Sequence, residues 1–325
     1  MINQDELFKL ILVHFKNVTA MDDCIAGMMQ VTTGMAARWR KGLTLITYDR
    51  LQLLIQVFKI RTHQLFNVPD GAVSIPAEFQ YIKLDVETPD HYLYYIKTIA
   101  DQLEAMTADP NASLWLKADE IPAFHLLPCK NLIYFMLFAY VRDRMNCDAQ
   151  FEDFVVQIKT LDLDPVLDRI KNAYDRIPSI EVWHDGVFDN LLYQIENAEI
   201  LEHFKQSTTK MQLLSELDDV LTKCQDEISV QQKSSGAKFE CYRKEIPIRM
   251  GYGLAKQEKC GQVTIKIDSI NSMTTENQTI FSEFSKSFKA TLNKAVPLGI
   301  GPIRDRTLFF RKLKDKIAHT RNKLN

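Results

Sequence analysis

The segment V31-T-T-G-M-A-A-R-W-R-K-G42, preceded by the apolar run C24-I-A-G-M-M29, decides the fold of the first part of the chain. Thr32 has a hydroxyl that can accept a hydrogen bond from a backbone N–H in the first turn of a helix. At helical spacing, Ala36 and Trp39 then lie on one face, while the opposite face carries small and basic side chains. The pattern predicts two short helices separated by a turn, with the second helix packed on the first.

Helical periodicity on both sides of this segment predicts five short helices within residues 1–68. The first helix covers residues 5–16. Each of the other four follows a threonine that can cap it, and these are Thr19, Thr32, Thr47 and Thr62. We therefore expect a compact helical N-terminal domain over residues 1–68.

The rest of the chain is predicted to be helical first and mixed afterwards. A boundary is indicated by P69-D-G71, and helical patterns then follow one another up to a break at S234-S-G236. Beyond it, alternating residues at 239–244 and 263–270 predict strands, followed by helices near 275–294 and 303–322. The predicted fold class is mainly α, with a five-helix head, a helical middle (69–236) and a small α+β part (237–325). The last two regions can form one unit.

Composition excludes several classes of protein. The 325 residues carry 46% hydrophobic and 25% charged side chains, which is ordinary for a globular chain. Residues 1–68 hold eight Lys/Arg and five Asp/Glu, a net of +3, so the remainder carries −5 of the overall −2. The six cysteines are scattered, which argues against a disulfide framework or a zinc site. The longest apolar run, 132–141, is half of the roughly 20 residues that span a bilayer. We expect a cytoplasmic protein without a cofactor, a metal or a membrane partner.

Residues 24–60 resemble the phage-repressor-like (Xre/Cro type) helix-turn-helix. The matching positions are Ala26, Met28-Met29, Val31, Thr32, Arg38-Trp39 and Gly42, followed by the fourth helix in T47-Y-D-R-L-Q-L-L-I-Q-V-F-K-I60. Further along, D119-E-I-P-A-F-H125, N271-S-M-T-T-E-N-Q278 and F309-F-R-K-L-K-D-K316 are similar to stretches in bacterial proteins that join such a motif to a long C-terminal region of unassigned activity. The resemblance implies an architecture and a transcription regulator, but no ligand.

Two positions depart from the family pattern. The turn glycine is replaced by Gln30, which costs about 1 kcal/mol if the backbone needs a positive φ there. The start of the second helix carries Asp22 and Asp23, whose charges would weaken binding to a phosphate.

The resemblance implies that the outward face of the third helix contacts double-stranded DNA. The candidate contact residues are Thr32, Thr33, Gly34, Ala37, Arg38, Lys41 and Thr44. Arg38 can bind a guanine edge or a phosphate, whereas Lys41 and Thr44 would position the backbone. Because this face has few side chains that can contact bases, we expect a homodimer whose two N-terminal domains bind half-sites about 34 Å apart. The apolar stripes at 92–106 and 214–228 are either dimer seams or intramolecular core.

Other signals leave alternatives open. The N-terminal domain can instead be a protein-interaction module of a scaffold or a defence-associated protein. Residues 69–325 can respond to an unknown small-molecule or protein effector. Trp183-His184-Asp185 contains a possible acid–base pair, but no nucleophile motif accompanies it, so no enzyme is predicted. His125 lies in an apolar setting typical of a satisfied core histidine. The basic helix near 303–322 either contacts phosphates or is a surface amphipathic helix.

Overall fold

The chain folds into two units, Met1–Pro76 and Ala77–Asn325, in a computed structural model. The structure describes residues 4–60, 75, 77–82, 89–144, 149–258, 260–267 and 270–324. Within these residues, no helix is both long and apolar enough to cross a membrane.

Four helices form the described part of the N-terminal unit: α1 (Gln4–Leu12), α2 (Val18–Met29), α3 (Thr33–Arg40) and α4 (Tyr48–Val57). The cap predicted at Thr19 is wrong, because the side chain of Asn17 accepts the backbone N–H of Ala20 and α2 begins one residue earlier than Thr19. The predicted fifth helix after Thr62 and the boundary at 69–71 lie outside the described residues.

The core of this unit is built from one face of each helix. Its fully or nearly fully buried side chains include Leu7, Phe8, Ile11, Met21, Ile25, Ala36, Trp39 and Leu54. Gln4 closes the unit from the side: its amide nitrogen donates to the carbonyls of Trp39 (2.5 Å) and Thr44 (2.8 Å). Its amide oxygen accepts the backbone N–H of Ile46 at 3.0 Å. The first turn of α1 thereby holds the loop between α3 and α4.

The C-terminal unit is organised around an eight-stranded mixed sheet. In chain order the strands are β1 (Gln80–Tyr81), β2 (Ser113–Lys117), β3 (Ser179–His184), β4 (Phe239–Lys244), β5 (Tyr252–Lys256), β6 (Gly261–Lys266), β7 (Ser272–Thr275) and β8 (Val296–Pro297). Their order across the sheet is β1-β7-β6-β5-β2-β3-β4-β8. The central strands β2, β3 and β4 are parallel, and the pairings outside them are antiparallel.

Nine helices surround this sheet in the described residues. They are α5 (Pro89–Met106), α6 (Ala123–Leu126), α7 (Lys130–Arg144), α8 (Phe151–Lys159), α9 (Asp164–Arg176), α10 (Asp189–Ile200), α11 (Ser207–Val230), α12 (Gln278–Leu292) and α13 (Ile303–Leu324). On one face of the sheet, α12 packs over Trp115, Val182, Leu254 and Val263 through Phe288. The other face packs on the large core that contains α5–α11 and α13.

The middle region is mostly helical, as predicted, but the prediction missed β2 and β3, which lie within residues 69–236 and join strands from 237–325 in one sheet. Both strands are short, and β3 carries Glu181 on a buried face, which obscures its alternation. Strand β5 was not predicted either, and it carries Gly253 in its interior. A Cβ at Gly253 would approach a Leu116 methyl to 3.3 Å, so the glycine allows close contact between β5 and β2.

Both apolar stripes belong to the core of their own chain. Of the first stripe, Tyr92, Ile96, Leu103 and Met106 are buried, and all five positions of the second, Leu214, Leu217, Leu221, Cys224 and Ile228, are at most 1% exposed. They are part of one cluster with the other helices of the C-terminal unit. Neither stripe is therefore free to act as a dimer seam.

Replacing Leu221 by alanine tests this assignment. We expect Leu221→Ala to lower the free energy of unfolding of the C-terminal unit by about 2–5 kcal/mol, because it leaves a cavity in a packed core. Urea unfolding followed by circular dichroism, at two protein concentrations a decade apart, measures the loss. Val230→Ala on the exposed end of the same helix is the control, with an expected change under about 0.5 kcal/mol. A loss that appears only through a concentration-dependent midpoint would contradict the assignment.

Candidate nucleic-acid interface

Helices α2 and α3 are joined by a three-residue turn, Gln30-Val31-Thr32. Gln30 adopts the left-handed conformation (φ 52°, ψ 47°), and the N–H of Val31 donates back to the carbonyl of Ala26 at 3.0 Å. This is the geometry in which helices commonly end at a glycine, so Gln30 bears the cost of about 1 kcal/mol expected from the sequence. The Thr32 hydroxyl accepts the Met35 N–H at 3.3 Å and caps α3, as predicted.

The inward face of α3 is formed by two side chains. Ala36 and Trp39 are 0% and 2% exposed, as their spacing predicted. The guanidinium of Arg50, from α4, lies 5.2 Å from the centre of the Trp39 ring, a cation–π arrangement. Because the indole is held from both sides, the rotation of α3 about its axis is determined by packing, and so is the face that it presents to solvent.

An ion pair between α2 and α3 neutralises one of the two acidic residues that were expected to weaken phosphate binding. Asp22 is buried, and the Arg40 guanidinium donates to both of its carboxylate oxygens, from Nε at 3.1 Å and from Nη2 at 3.0 Å. The hydrogen bond to Asp22 raises the pKa of Arg40. The charge of Asp22 is therefore compensated inside the unit, and the expected repulsion of a phosphate by this carboxylate does not apply.

Asp23 lies on the exposed side of α2 and contacts α3 directly. Its carboxylate accepts the Thr33 hydroxyl at 3.0 Å. One of the predicted contact residues is thus engaged by an acid of the same unit, and the hydroxyl of Thr33 has to leave Asp23 before it can bind another acceptor. Asp23 is the acidic group that remains beside the outward face.

The predicted contact residues form one outward face, with an exception. Thr32, Thr33, Gly34, Arg38 and Lys41 are exposed, and Ala37 is half-buried. Arg38 and Lys41 make no ion pair within the described chain. Thr44 is the exception: its hydroxyl is buried with no hydrogen-bond partner among the described residues, and its carbonyl accepts from Gln4.

The structure adds an apolar feature beside this face that the sequence analysis missed. Leu43, Leu45 and Tyr48 are 65%, 82% and 75% exposed in and just after the loop that follows α3. We call these three residues the loop patch. Their signal in the sequence is that large apolar residues alternate with threonines where no helical spacing can bury them.

The suggested acid–base pair at His184 and Asp185 is not formed. The His184 Nε2 lies 2.9 Å from the carbonyl of Asp119, and its Nδ1 accepts the Gly186 N–H at 3.0 Å. Asp185 accepts two hydrogen bonds from Arg243, at 2.6 and 2.7 Å, and one from Lys312 at 2.9 Å. These hydrogen bonds hold the pKa of Asp185 down at about 2. The two side chains have separate partners and connect β3 to its neighbours.

A buried polar network surrounds His125, which the sequence marked only as a satisfied core histidine. Its Nε2 lies 2.9 Å from the carboxylate of Glu181, which also accepts the Tyr174 hydroxyl at 2.5 Å and the Trp183 indole N–H at 2.8 Å. Burial opposes a charged imidazole, yet the charge of Glu181 raises the pKa of His125 to about 10.

The basic helix α13 is amphipathic, with Phe309, Leu313 and Ile317 fully buried. Four of its basic side chains pair with acids of the same unit: Lys312 with Asp185, Lys316 with Asp189, Arg321 with Asp218 and Lys323 with Glu196. Among the described residues, Arg304, Arg311 and Lys314 are the exposed cations of this helix that make no ion pair. Half of the eight Lys and Arg side chains of α13 therefore bind it to the unit.

No metal centre accompanies these sites in the part of the chain that the structure describes, since no group of three or more His, Cys, Asp or Glu side chains is placed to hold an ion. The five described cysteines are free thiols.

The Asp22–Arg40 pair predicts a specific loss of stability. Arg40→Ala leaves a buried carboxylate without its partner, and we expect the N-terminal unit to lose about 1–3 kcal/mol. Hydrogen exchange of peptides from residues 18–40, measured by mass spectrometry, reports on this unit alone. Arg38→Ala is the matched control, because it removes the same charge from an exposed position of α3. Equal protection in the two variants would show that the pair stabilises nothing.

Asp185 gives a pH-dependent prediction. Its pKa in the folded protein lies below the ordinary 3.8, so its contribution is present above pH 3.8 and is lost as the pH falls through about 2. Asp185→Asn should be less stable than the wild type by about 1–2 kcal/mol at pH 6, after allowance for solvent screening. The difference between the two proteins should shrink as unfolding is repeated from about pH 4 down to about pH 2. Asp168→Asn, at an exposed pair with Lys130, is the control. A difference that is independent of pH contradicts the prediction.

Comparison with known proteins found no family model, no curated protein and no solved structure that matches this chain. The resemblance of residues 24–60 to the Xre/Cro type motif remains a prediction from the sequence pattern. Function therefore has to be argued from the outward face of α3 and from the chemistry of the body.

Proposed function

We propose that this protein is a sequence-specific DNA-binding transcription regulator that binds double-stranded DNA through its N-terminal unit, as a homodimer. In this proposal, α2 and α3 are a helix-turn-helix within a five-helix head, and α3 enters the major groove. The observation that carries the proposal is the outward face of α3, where Arg38 and Lys41 are exposed and unpaired while the acid at Asp22 is neutralised internally.

The electrostatics of this face favour a polyanion over an acidic or neutral partner. Arg38 and Lys41 contribute two positive charges, and Asp23 contributes one negative charge that is held against Thr33. Phosphate contacts supply most of the affinity of such a face, and a bidentate Arg38–guanine contact would supply sequence preference. Small Gly34 and the half-buried Ala37 allow the helix backbone to approach the bases closely.

The sparse face is the reason for proposing a pair of heads. One short helix with a single unpaired arginine supplies few base contacts, so strong specific binding requires a second copy on an adjacent half-site. The stripes at 92–106 and 214–228 are buried within the chain and do not supply the dimer contact. In this proposal, the two copies contact each other through an exposed surface of the chain.

The loop patch favours a second candidate, in which the head is a protein-interaction module of a scaffold or defence-associated protein. Three large apolar side chains that are exposed within the six residues 43–48 are typical of a protein contact. The patch also suits a dimer contact next to the DNA face, so it supports this candidate only if DNA binding fails.

DNA selection from a random pool, followed by titration of the selected duplex at several salt concentrations, tests the proposal. Arg38→Ala should weaken binding to the selected duplex by about 1–3 kcal/mol and relax the preferred sequence. Arg38→Lys keeps the charge but loses the bidentate geometry, so it should retain nonspecific binding and lose preference. Lys41→Ala should weaken binding to all sequences and reduce the salt slope by about one.

The control is the double variant Arg311→Ala/Lys314→Ala, which removes two unpaired cations from α13 and should leave binding unchanged. If it abolishes binding while Arg38→Ala has no effect, α13 and not α3 is the DNA-binding element. If the wild type selects no sequence and does not bind duplex at low salt, the proposal fails and the protein-interaction candidate replaces it.

A further inference from the structure

A cavity of about 290 Å³ lies in the C-terminal unit between α5 and the half of the sheet formed by β5, β6 and β7. The helix side is lined by Ile99, Leu103 and Met106, and Phe124 from α6 closes one end. The Phe124 ring is stacked on Tyr174, 4.7 Å between centres, and this contact separates the cavity from the buried network of Glu181.

The cavity exists because the two halves of this sheet face carry side chains of different size. One row of paired residues runs across the sheet as Thr274, Thr264, Gly253, Leu116, Glu181 and Cys241. The next row runs as Gln262, Ala255, Leu114, Ser179 and Phe239. The β3–β4 half is filled by Glu181, Phe239 and the helices packed on them, whereas the β5–β7 half carries small residues and stays open.

This asymmetry is confined to one face. On the opposite face of the same strands, Tyr252, Leu254 and Val263 are buried against Phe288 of α12. Strands β5 and β6 thus carry large apolar residues where they are covered and small or polar residues where they face the cavity. A strand that only needed to pack would be expected to fill both faces.

The lining combines apolar walls with a strip of neutral hydrogen-bonding groups. The apolar side chains are Ile82, Ile99, Leu103, Met106, Leu114 and Leu116. The polar strip follows Gln80, Thr274 and Thr264 across β1, β7 and β6, with Gln262 beside it. Within the described residues, these four side chains make no hydrogen bond, so their groups are available to a ligand.

The carboxylates near the cavity are already compensated. A smaller adjoining cavity of about 170 Å³ shares Leu116, Phe124 and Thr264 with the first and leads to Lys266. The Lys266 ammonium lies 3.3 Å from Asp119 and 2.5 Å from Glu120. The main cavity has no acidic or basic side chain in its lining. A charged ligand would lose its hydration there without gaining a counter-charge.

From this we infer that the cavity is a binding site for a neutral, mostly apolar small molecule, such as an aromatic compound, whose hydrogen-bonding edge lies along Thr264 and Thr274. The volume is at the lower end of the range for ligand pockets, about 300 Å³, and suits a compound of two or three fused or linked rings. The inference does not depend on DNA binding, and its test uses no DNA.

Two fluorescent dyes that share the same ring system separate neutral from charged ligands. N-phenyl-1-naphthylamine is neutral, and 8-anilinonaphthalene-1-sulfonate is the same three-ring compound with a sulfonate. Titration of the full chain should show saturable binding of the neutral dye at one site, with an affinity at least about tenfold higher than that of the anion. Tighter binding of the anion, or non-saturable binding of both dyes, would overturn the inference.

Filling the cavity supplies the site-specific test. Ala255→Phe projects a ring from β5 into the cavity and should weaken binding of the neutral dye at least about tenfold. Ala318→Phe, on an exposed position of α13, adds the same ring elsewhere and should change nothing. Because Ala255→Phe can disturb the sheet, Ile99→Trp fills the cavity from the helix side as a second variant, and circular dichroism checks both folds. Unchanged dye binding in either folded variant contradicts the site.

The hydrogen-bonding edge is tested by competition with 1-naphthol. Thr264→Val keeps the shape of the side chain and removes its hydroxyl. It should weaken displacement of the neutral dye by 1-naphthol about threefold to tenfold, the loss expected for one neutral hydrogen bond, while binding of the dye itself stays the same. Equal displacement in the variant and the wild type would show that Thr264 makes no hydrogen bond to the ligand.

Discussion

The C-terminal unit depends on the compensation of one buried charge, the carboxylate of Glu181 on the central strand β3. Burial alone would raise the pKa of this group, but the charge and hydrogen bond of His125, together with the Tyr174 hydroxyl, hold it below its ordinary value. These donors come from α6 and α9, and Trp183 adds a third from β3 itself. A buried carboxylate left without them would cost several kcal/mol, so the two helices have to meet the sheet at this strand.

A second buried charge extends this network to the turn after α11. Lys233 is buried, its ammonium donates to the carbonyls of Tyr174 and Ile177 at 2.8 and 2.7 Å, and it lies 3.3 Å from the centre of the Tyr174 ring. Burial lowers the pKa of this lysine to about 7. The same tyrosine thus joins an anion on its hydroxyl to a cation over its ring. On the other side of that ring system, Phe124 stacks and forms the wall of the cavity, so the polar network and the open half of the sheet share one boundary.

The sequence predicted best what depends on neighbours along the chain. The cap at Thr32 and the inward positions of Ala36 and Trp39 follow from spacing within one helix, and the structure confirms them. The partner of Arg40 could not be predicted in this way, because Asp22 lies eighteen residues earlier and only packing of α2 on α3 brings the two together. Strand β3 was missed for a related reason: a charged residue on a buried face contradicts the alternation expected of a strand until its donors are known, and one of them, His125, lies 56 residues earlier. The position of the cavity likewise depends on which strands pair. The pattern of residues within one strand does not show its partner.

The pairing of β1 with β7 also has a consequence for the order in which the chain folds. Gln80 pairs with Thr274, almost two hundred residues later, and β2, β3 and β4 are joined by crossovers of about sixty residues. The contacts among α1, α2, α3 and α4, by contrast, lie within the first sixty residues. During synthesis the helical unit can complete its core early, because local contacts form rapidly, whereas the sheet cannot close until β7 has emerged from the ribosome. Until then the edges of β1 and β6 that pair with β7 stay unpaired, and this interval is when the chain is most exposed to aggregation and to chaperones.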